Sequence, residues 1–261
     1  MIFFRLIWIY LRIGVLNELE YRANFIFQAF QSFVGLGTAL LGLSIVFNHT
    51  IELNGWSINE LIGLLGVYFL VGGIIRLVLQ PSLTRFMEDI RQGTLDFTLT
   101  KPADAQILVS IRQVEIWNAI DVLLGLGLIV YSVVGRSTPF EPWQAFAFLI
   151  ALIAGCAMVY SFWMILATCT FWFVRIDNIM VVFLAMWEAG RWPVGIYPDW
   201  LRYGMTFLVP VAFATTIPAE ALAGTLTLET LAGAVVLATA VLGLSRWFWT
   251  IGIRRYSGAS A

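Results

Sequence analysis

Long apolar runs dominate the chain, and short polar intervals separate them. A helix needs about 20 consecutive apolar residues to cross the hydrocarbon core of a bilayer. The pattern therefore predicts six membrane-spanning helices. They cover residues 23–47, 58–79, a third run that ends near 134, 143–174, a fifth run that starts near 177, and 228–249. We expect an all-α membrane protein in which residues 1–261 form a single transmembrane domain.

The first 22 residues have a different pattern. Arg5 and Arg12 are seven positions apart, so they share one face of a helix. With Glu18 they interrupt the apolar run, and no small-residue cleavage site follows, which argues against a signal peptide. Aromatic residues accompany the arginines, as is typical of a helix lying on a membrane surface. We predict an interfacial helix over residues 1–22.

Residues 81–104 form the longest polar interval. Ser82 can cap a short amphipathic helix, and Gly93 can end it. Four apolar residues fall at i, i+3, i+4 and i+7 and form one stripe: Leu83, Phe86, Met87 and Ile90. An extended segment should follow, with Asp104 capping the next helix. The stripe needs a partner or the membrane surface to cover it; the alternative is an ordinary solvated loop.

The region after the fifth run is irregular. Its apolar part, 179–187, spans nine residues and ends at Glu188 and Arg191. Four of the eight prolines lie between Pro193 and Pro218. Non-helical backbone is tolerated at membrane depth only where protein or a wet cavity covers it. We predict re-entrant helices within residues 190–225, on the outer side of the membrane.

Composition supports a membrane protein, since 60% of the residues are hydrophobic and 12% are charged, against about 25% charged in soluble domains. If the N-terminus is cytoplasmic, every basic residue except Arg136, Arg191 and Arg202 lies on the inner side. This bias predicts cytoplasmic termini and a cytoplasmic 81–104 segment. With one lysine and no basic patch, the chain offers nothing for nucleic acid.

Several kinds of chemistry are missing. Lys101 is the only lysine and no glycine precedes it, so the chain has no phosphate-binding loop and cannot be its own ATPase. His49 is the only histidine. Cys156 and Cys169 would lie about 20 Å apart on one helix, too far for a disulfide. We therefore predict no catalytic residue, no metal ligand and no cofactor on this chain.

Charged residues inside the predicted spans need a partner or water. Asp121 lies within the third span, and its structural interpretation is a pair with an inner-side arginine such as Arg76 or Arg112. The functional interpretation places it on a translocation path.

Glu188 and Arg191 are three positions apart at the break in span five. A purely structural ion pair and a functional role are equally open for these two residues. Beside them lies a stripe that packs helices or lines a path: Met180, Phe183, Met186 and Trp187.

Four segments carry a family resemblance. Residues 90–102, I-R-Q-G-T-L-D-F-T-L-T-K-P, are similar to the I-x-x-G-x-L-x-x-x-L-x-x-P signature that follows the second span in membrane subunits of ABC-2 type ABC exporters. Residues 18–25, 196–202 and 217–222 resemble other parts of one prokaryotic subgroup of these permeases. The resemblance covers nearly the whole chain.

The resemblance implies a complex of two permeases, the same or different chains, with two ATPase subunits that bind ATP and Mg²⁺. It implies export of an amphipathic cargo, drug-like, cationic or lipid-like, across a prokaryotic cytoplasmic membrane. It makes 81–104 the coupling segment. Its ATPase contacts would be Leu83, Phe86, Met87, Glu88, Asp89, Ile90 and Arg91. Apart from the resemblance, the intramembrane positions of Asp121, Trp187, Glu188 and Arg191 make them either translocation-path residues or paired structural charges.

Three other functions remain open. A membrane-embedded enzyme would use Glu188 or Asp121 as a general acid or base, but no second catalytic group is evident. A structural or assembly protein would not need a structured cytoplasmic helix. A secondary transporter without an ATPase partner would more often show an internal repeat and repeated intramembrane charges.

Overall fold

The computed structural model describes residue 12 and residues 22–136, 139–173 and 177–256. The predicted interfacial helix over 1–22 lies outside this part of the chain, apart from Arg12 and Arg22. Helices dominate the described residues, which contain no β-strand. The prediction of an all-α membrane protein is confirmed.

Twelve α-helices follow one another in the described residues. They are α1 Arg22–Phe47, α2 Ile58–Ile74, α3 Gln80–Gln92, α4 Asp96–Leu99, α5 Ala105–Ser110, α6 Ala119–Val134, α7 Pro142–Thr168, α8 Asp177–Ala189, α9 Asp199–Tyr203, α10 Val211–Ala214, α11 Thr216–Ala223 and α12 Leu228–Arg255. Wider π-helical turns at Ile75–Leu79 and Gly204–Leu208 extend α2 and α9, and 3₁₀ turns occur at Ile116–Asn118, Cys169–Phe171 and Val194–Ile196.

Five helices of the described residues are long and apolar enough to cross a membrane: Phe25–Phe47, Ile58–Gln92, Ile116–Val134, Pro142–Phe171 and Leu228–Arg255. A sixth crossing arises if Asp199–Leu208 and Val211–Ala223 count as one span. These two helices meet at a 70° bend, as in a broken span or a re-entrant loop. The predicted fifth span is only the short helix α8, because Gly190 and Pro193 end it.

Glycines bring α2 and α6 into close contact. A Cβ atom on Gly125 would lie 2.4 Å from the backbone nitrogen of Leu70, and one on Gly66 would lie 2.9 Å from the carbonyl oxygen of Gly125. Gly73 meets Val122 in the same way further along. Small residues that let backbones approach are the usual basis of helix packing in membranes. The α2–α6 pair is therefore one half of the core.

The helices α7 and α12 form the other half. Gly252 of α12 lies against Phe171, and Gly155 of α7 lies against the backbone of Phe213 and Ala214. The bent region before α12 therefore packs into the bundle. The helix α1 is different, since only 11% of its span is buried and its phenylalanines face outward.

The segment after α2 differs from its prediction. The helices α2 and α3 run on without a break through the Ile75–Leu79 turn, so Ser82 is inside a helix and caps nothing. Its hydroxyl instead donates to the carbonyl of Gln113 (2.7 Å) and accepts from its amide (3.1 Å). Sequence alone could not supply this partner, which lies 31 residues away.

The rest of the polar interval is helical as well. Gly93 ends α3 in the left-handed conformation (φ 70°), and the Asp104 carboxylate accepts from two amides at the start of α5, both as predicted. The expected extended segment is wrong. Leu95 and Thr98 lie three positions apart and are both buried. A helical turn puts side chains at this spacing on the same face, whereas an extended strand puts them on opposite faces, and the segment forms the helical turn α4.

A glycine-to-alanine pair tests the α2–α6 contact. Gly125→Ala should destabilise the protein by about 1–3 kcal/mol, because the added methyl group collides with the backbone of α2. Gly127→Ala, two residues along the same helix, meets nothing within 4 Å and is the control. Thermal unfolding in detergent measures both. Equal melting temperatures for the two variants would contradict the close packing.

Candidate functional site

The apolar stripe of α3 is buried within this chain. Leu83, Phe86 and Met87 are at most 2% exposed. The Phe86 ring lies 5.1 Å from the ring of Trp249 in α12 and 5.9 Å from that of Phe171, centroid to centroid. The prediction that this stripe needs an outside partner is therefore wrong, since α12 and the end of α7 cover it.

Asp89 is also inaccessible. Its carboxylate is fully buried, pairs with Arg112 and accepts a hydrogen bond from the Thr94 hydroxyl at 3.1 Å. Arg85 approaches it at 3.5 Å from the preceding turn. A buried carboxylate needs such partners, because desolvation without them is strongly unfavourable. Asp89 thus holds the folded segment together and offers no surface to another protein.

A smaller surface remains on the coupling segment. Of the seven expected contact residues, Glu88 and Ile90 are partly exposed and Arg91 is exposed. Phe97 of α4 adds a large apolar side chain that is 73% exposed. Phe97 was not among the predicted contact residues, although it lies inside the signature segment 90–102. Leu95, Phe97 and Leu99 alternate with polar residues, and this pattern favoured an extended chain with all three side chains on one face. It therefore did not show that Phe97 points outward while Leu95 is buried.

A polar network joins this segment to the bundle. Arg246 of α12 donates to both Asp104 carboxylate oxygens (2.9 and 2.5 Å) and to the Gln106 side chain (2.8 Å). Gln106 in turn donates to the Tyr160 hydroxyl of α7 at 3.3 Å. Burial raises the pKa of Asp104, but the hydrogen bond and charge of Arg246 outweigh it, so the pKa is lowered. The carboxylate therefore stays ionised and keeps the segment attached.

The π-helical turn after α2 carries an arginine into the membrane region. Arg76 donates to Asp121 of α6 from two nitrogens, at 2.7 and 3.2 Å. A π turn leaves backbone carbonyls without their usual α-helical partners. Here the Asn118 side chain donates to the Arg76 carbonyl (3.1 Å), and the Glu115 amide donates to the Leu77 carbonyl (2.8 Å). Of the two arginines considered for Asp121, the partner is Arg76.

The other predicted pair lies at the end of α8. Arg191 and Glu188 form an ion pair, and the Tyr68 hydroxyl donates to Glu188 at 3.2 Å. The Arg191 guanidinium also lies over the Tyr68 ring, 5.3 Å from its centroid. Trp187 stacks between Tyr68 and Phe183, with centroid distances of 5.6 and 6.1 Å. These contacts place all the predicted intramembrane residues around α2.

Two adjoining polar cavities lie between α1 and these ion pairs. The inner one, of about 250 Å³, is lined by both ion pairs, and the other, of about 440 Å³, extends past Arg76 to Glu115 and Asn118. Gln28 and Gln31 of α1 line both, and Ser32 lines the inner one. We call this space the α1 cleft. The α1 wall of this cleft was not predicted, although three polar residues at i, i+3 and i+4 in an apolar span are a detectable signal.

No metal chemistry is evident in the described residues. They contain no group of three or more His, Cys, Asp and Glu side chains that could hold a metal ion. Cys156 and Cys169 are both free thiols. What the α1 cleft offers instead is paired charges, amide groups and the aromatic side chains of Tyr68 and Phe69, which can bind and orient a molecule.

A double-variant cycle tests the Arg76–Asp121 pair. Asp121→Leu and Arg76→Met should each cost about 3 kcal/mol of stability, because each leaves one charge without its partner inside the membrane region. Combining Asp121→Leu with Arg76→Met removes both charges and should recover most of that loss. Asp199→Ala is the control, since its carboxylate is mostly exposed and its pair with Arg202 should matter little. Additive losses in the cycle, read from thermal unfolding, would rule the pair out.

The comparisons with known proteins agree with this architecture. A family model described as ABC-2 family transporter protein matches residues 33–260, which is most of the chain. No curated protein and no solved structure matches it. The match includes the coupling segment and both ion pairs of the α1 cleft. The chain belongs to the ABC-2 transporter family and is a multi-pass membrane permease of an ABC transporter.

Proposed function

We propose that this permease forms half of an ATP-driven exporter and couples to separate ATPase subunits through residues 81–104. One observation carries the proposal: α2, the π turn and α3 form one continuous helix from the α1 cleft to the coupling segment. Arg76 in that turn reaches Asp121, so displacement of α3 acts directly on a group that lines the cleft.

The contact with the ATPase is assigned to the exposed part of the coupling segment. Phe97 would enter an apolar groove of the ATPase, and Glu88 and Arg91 of the same segment would supply opposite charges. Leu83, Phe86, Met87 and Asp89 act indirectly, because they hold α3 against the bundle. A segment fixed in this way moves as one body with its helix, which suits the transmission of a stroke driven by ATP binding.

The remaining parts of the proposal concern the complex and its membrane. The family resemblance suggests a prokaryotic cytoplasmic membrane, and the basic residues favour an orientation with both termini and the coupling segment in the cytoplasm. The exposed apolar side chains of α1 support a second permease, the same or a different chain, or membrane lipid as neighbour. The cargo is amphipathic, because the α1 cleft is polar while exposed apolar side chains of α1, such as Phe27 and Phe30, lie beside it. ATP and Mg²⁺ would bind to the partner ATPase.

Tagged purification of the full chain in mild detergent tests this function, with every co-purifying chain identified by mass spectrometry. An ATPase with a phosphate-binding loop, in a 1:1 ratio to total permease, supports the exporter, and a second permease would show a heterodimer. If the chain purifies alone, under conditions that preserve a known ABC complex, the proposal fails. A structural or assembly protein, or a secondary transporter, would then explain the chain better.

Exposed and buried residues of the coupling segment should respond differently to substitution. Phe97→Ala and Glu88→Arg should each reduce ATPase co-purification by about tenfold or more, because a central apolar or charged contact typically contributes 1.4 kcal/mol or more. Neither should change the melting temperature, since neither side chain is buried.

The matched control is Phe207→Ala, an equally exposed phenylalanine on the bent region before α12. Asp89→Arg should lower the melting temperature itself, because it breaks the buried contact with Arg112. Unchanged ATPase recovery with both Phe97→Ala and Glu88→Arg would refute the contact surface.

A further inference from the structure

A second space, which we call the α7 recess, lies between the π turn after α2, the helix α5 and the helix α7. It has a volume of about 270 Å³, and its two main walls carry Val71, Ile75 and Val78 on one side and Cys156 and Val159 on the other. Its described lining residues are all different from those of the α1 cleft. Protein interiors contain few spaces larger than a water molecule, so a recess of this size calls for an explanation.

The lining of the α7 recess suits an apolar ligand. Its two hydroxyl groups, on Ser110 and Tyr160, are already engaged. Ser110 donates to the Gln106 carbonyl at 2.6 Å and shares a hydrogen bond with Tyr160 at 3.0 Å, and Tyr160 accepts from the Gln106 side chain at 3.3 Å. The other lining side chains are aliphatic, except for the Cys156 thiol, which packs like a small hydrophobic group. A polar ligand would give up hydrogen bonds with water and find no replacement here.

The recess opens toward hydrocarbon. Ile74 in its lining is 37% exposed, and its walls belong to two helices that are long and apolar enough to cross a membrane. Both helices end at the coupling segment, because α2 continues into α3 and Phe171 after α7 contacts Phe86 of α3. At 1.5 Å per residue, Ile74 lies about 24 Å beyond the start of α2 and Cys156 about 21 Å beyond the start of α7. In a hydrocarbon core about 30 Å thick, both positions fall in the half nearer the coupling segment.

The polar end of the recess lies toward the same membrane surface. Tyr160 is about one turn further along α7 than Cys156, and Gln106 connects it to Arg246, whose side chain is 50% exposed. Asp104 of the coupling segment shares that arginine. The recess therefore passes from apolar walls to a charged and accessible surface, which is the order of polarity along a phospholipid from its acyl chain to its headgroup.

We propose that the α7 recess binds one acyl chain of a phospholipid from the leaflet next to the coupling segment, with the headgroup toward Arg246. A dry apolar cavity of roughly 150 Å³ already accepts benzene. A recess of about 270 Å³ therefore accepts a longer segment of an alkyl chain. Ile75 and Val78 belong to the π turn, whereas Arg76 of the same turn lines the α1 cleft. The bound chain thus packs against the turn that joins the span to the coupling segment, and the site does not depend on the exporter function.

Photo-crosslinking of the full chain in lipid vesicles tests the site. The probe is phosphatidylethanolamine with a diazirine in one acyl chain, and tandem mass spectrometry of the digested protein locates each crosslink. Val159 and Met158 are adjacent and equally buried, each 1% exposed, but of the two only Val159 lines the recess. Val159 should carry about tenfold more crosslink than Met158, because close packing keeps lipid away from a buried side chain outside the recess. Ile153 is 67% exposed and reports on the surrounding lipid.

Two substitutions fill the recess from opposite walls. Cys156→Phe and Val78→Phe should each lower crosslinking at Val159 about tenfold, because excluding two chain carbons from an apolar site weakens binding by roughly that factor. Ile153→Phe is the matched control, since it places the same ring on the exposed face of α7. It should leave the crosslinking of Val159 unchanged.

The outcomes separate a bound chain from lipid that only surrounds the protein. Crosslinks at Ile153 together with equal yields at Val159 and Met158 would overturn the site. Undiminished crosslinking of Val159 in both filled variants would overturn it as well. The comparison of Val159 with Met158 is made within the unaltered chain, so it decides the matter even where a filled variant fails to fold. The exporter function is judged separately by ATPase co-purification.

Discussion

A charge inside the hydrocarbon of a bilayer must be paired or wet, and this constraint organises the molecule. Arg76 satisfies it through Asp121, which ties α2 to α6 at the position where α2 widens into its π turn. The wider turn leaves backbone carbonyls without their usual helical partners. The Asn118 side chain and the Glu115 amide donate hydrogen bonds to two of them. One arginine and its partners therefore link α2 to α6, satisfy the carbonyls of the π turn and contribute to the lining of the α1 cleft.

The coupling segment obeys the same rule on a larger scale. Its buried carboxylate, Asp89, is neutralised by Arg112, and Asp104 is joined to Arg246 of the last helix. Its apolar stripe fills a space closed by Trp249 and Phe171. The exposed or partly exposed side chains of the segment include Phe97, Glu88 and Arg91. The residues proposed to contact the ATPase are therefore distinct from those that hold the segment in place.

Much of this fold could be predicted from local patterns, because helix length, caps and charge pairs are short-range properties. The long apolar runs, the stop at Gly93 and the cap at Asp104 are of this kind. The burial of Phe86 could not be predicted, since periodicity shows that a face is covered but not by what, and Trp249 lies far away in the sequence. The charged residues of the α1 cleft were predicted from their positions inside apolar spans. Gln28 and Gln31 were not predicted, because they are uncharged and lie among apolar residues of α1.

The loose attachment of α1 has a consequence for how the protein must be studied. With 11% of its span buried, α1 is held mainly by the match between its apolar length and the surrounding hydrocarbon. Bilayer thickness and lateral pressure therefore act on α1 before they act on the glycine-packed pair α2 and α6. The acyl-chain length of the host membrane is thus a variable that acts on the α1 side of the α1 cleft, and it belongs among the conditions stated for every measurement on the protein.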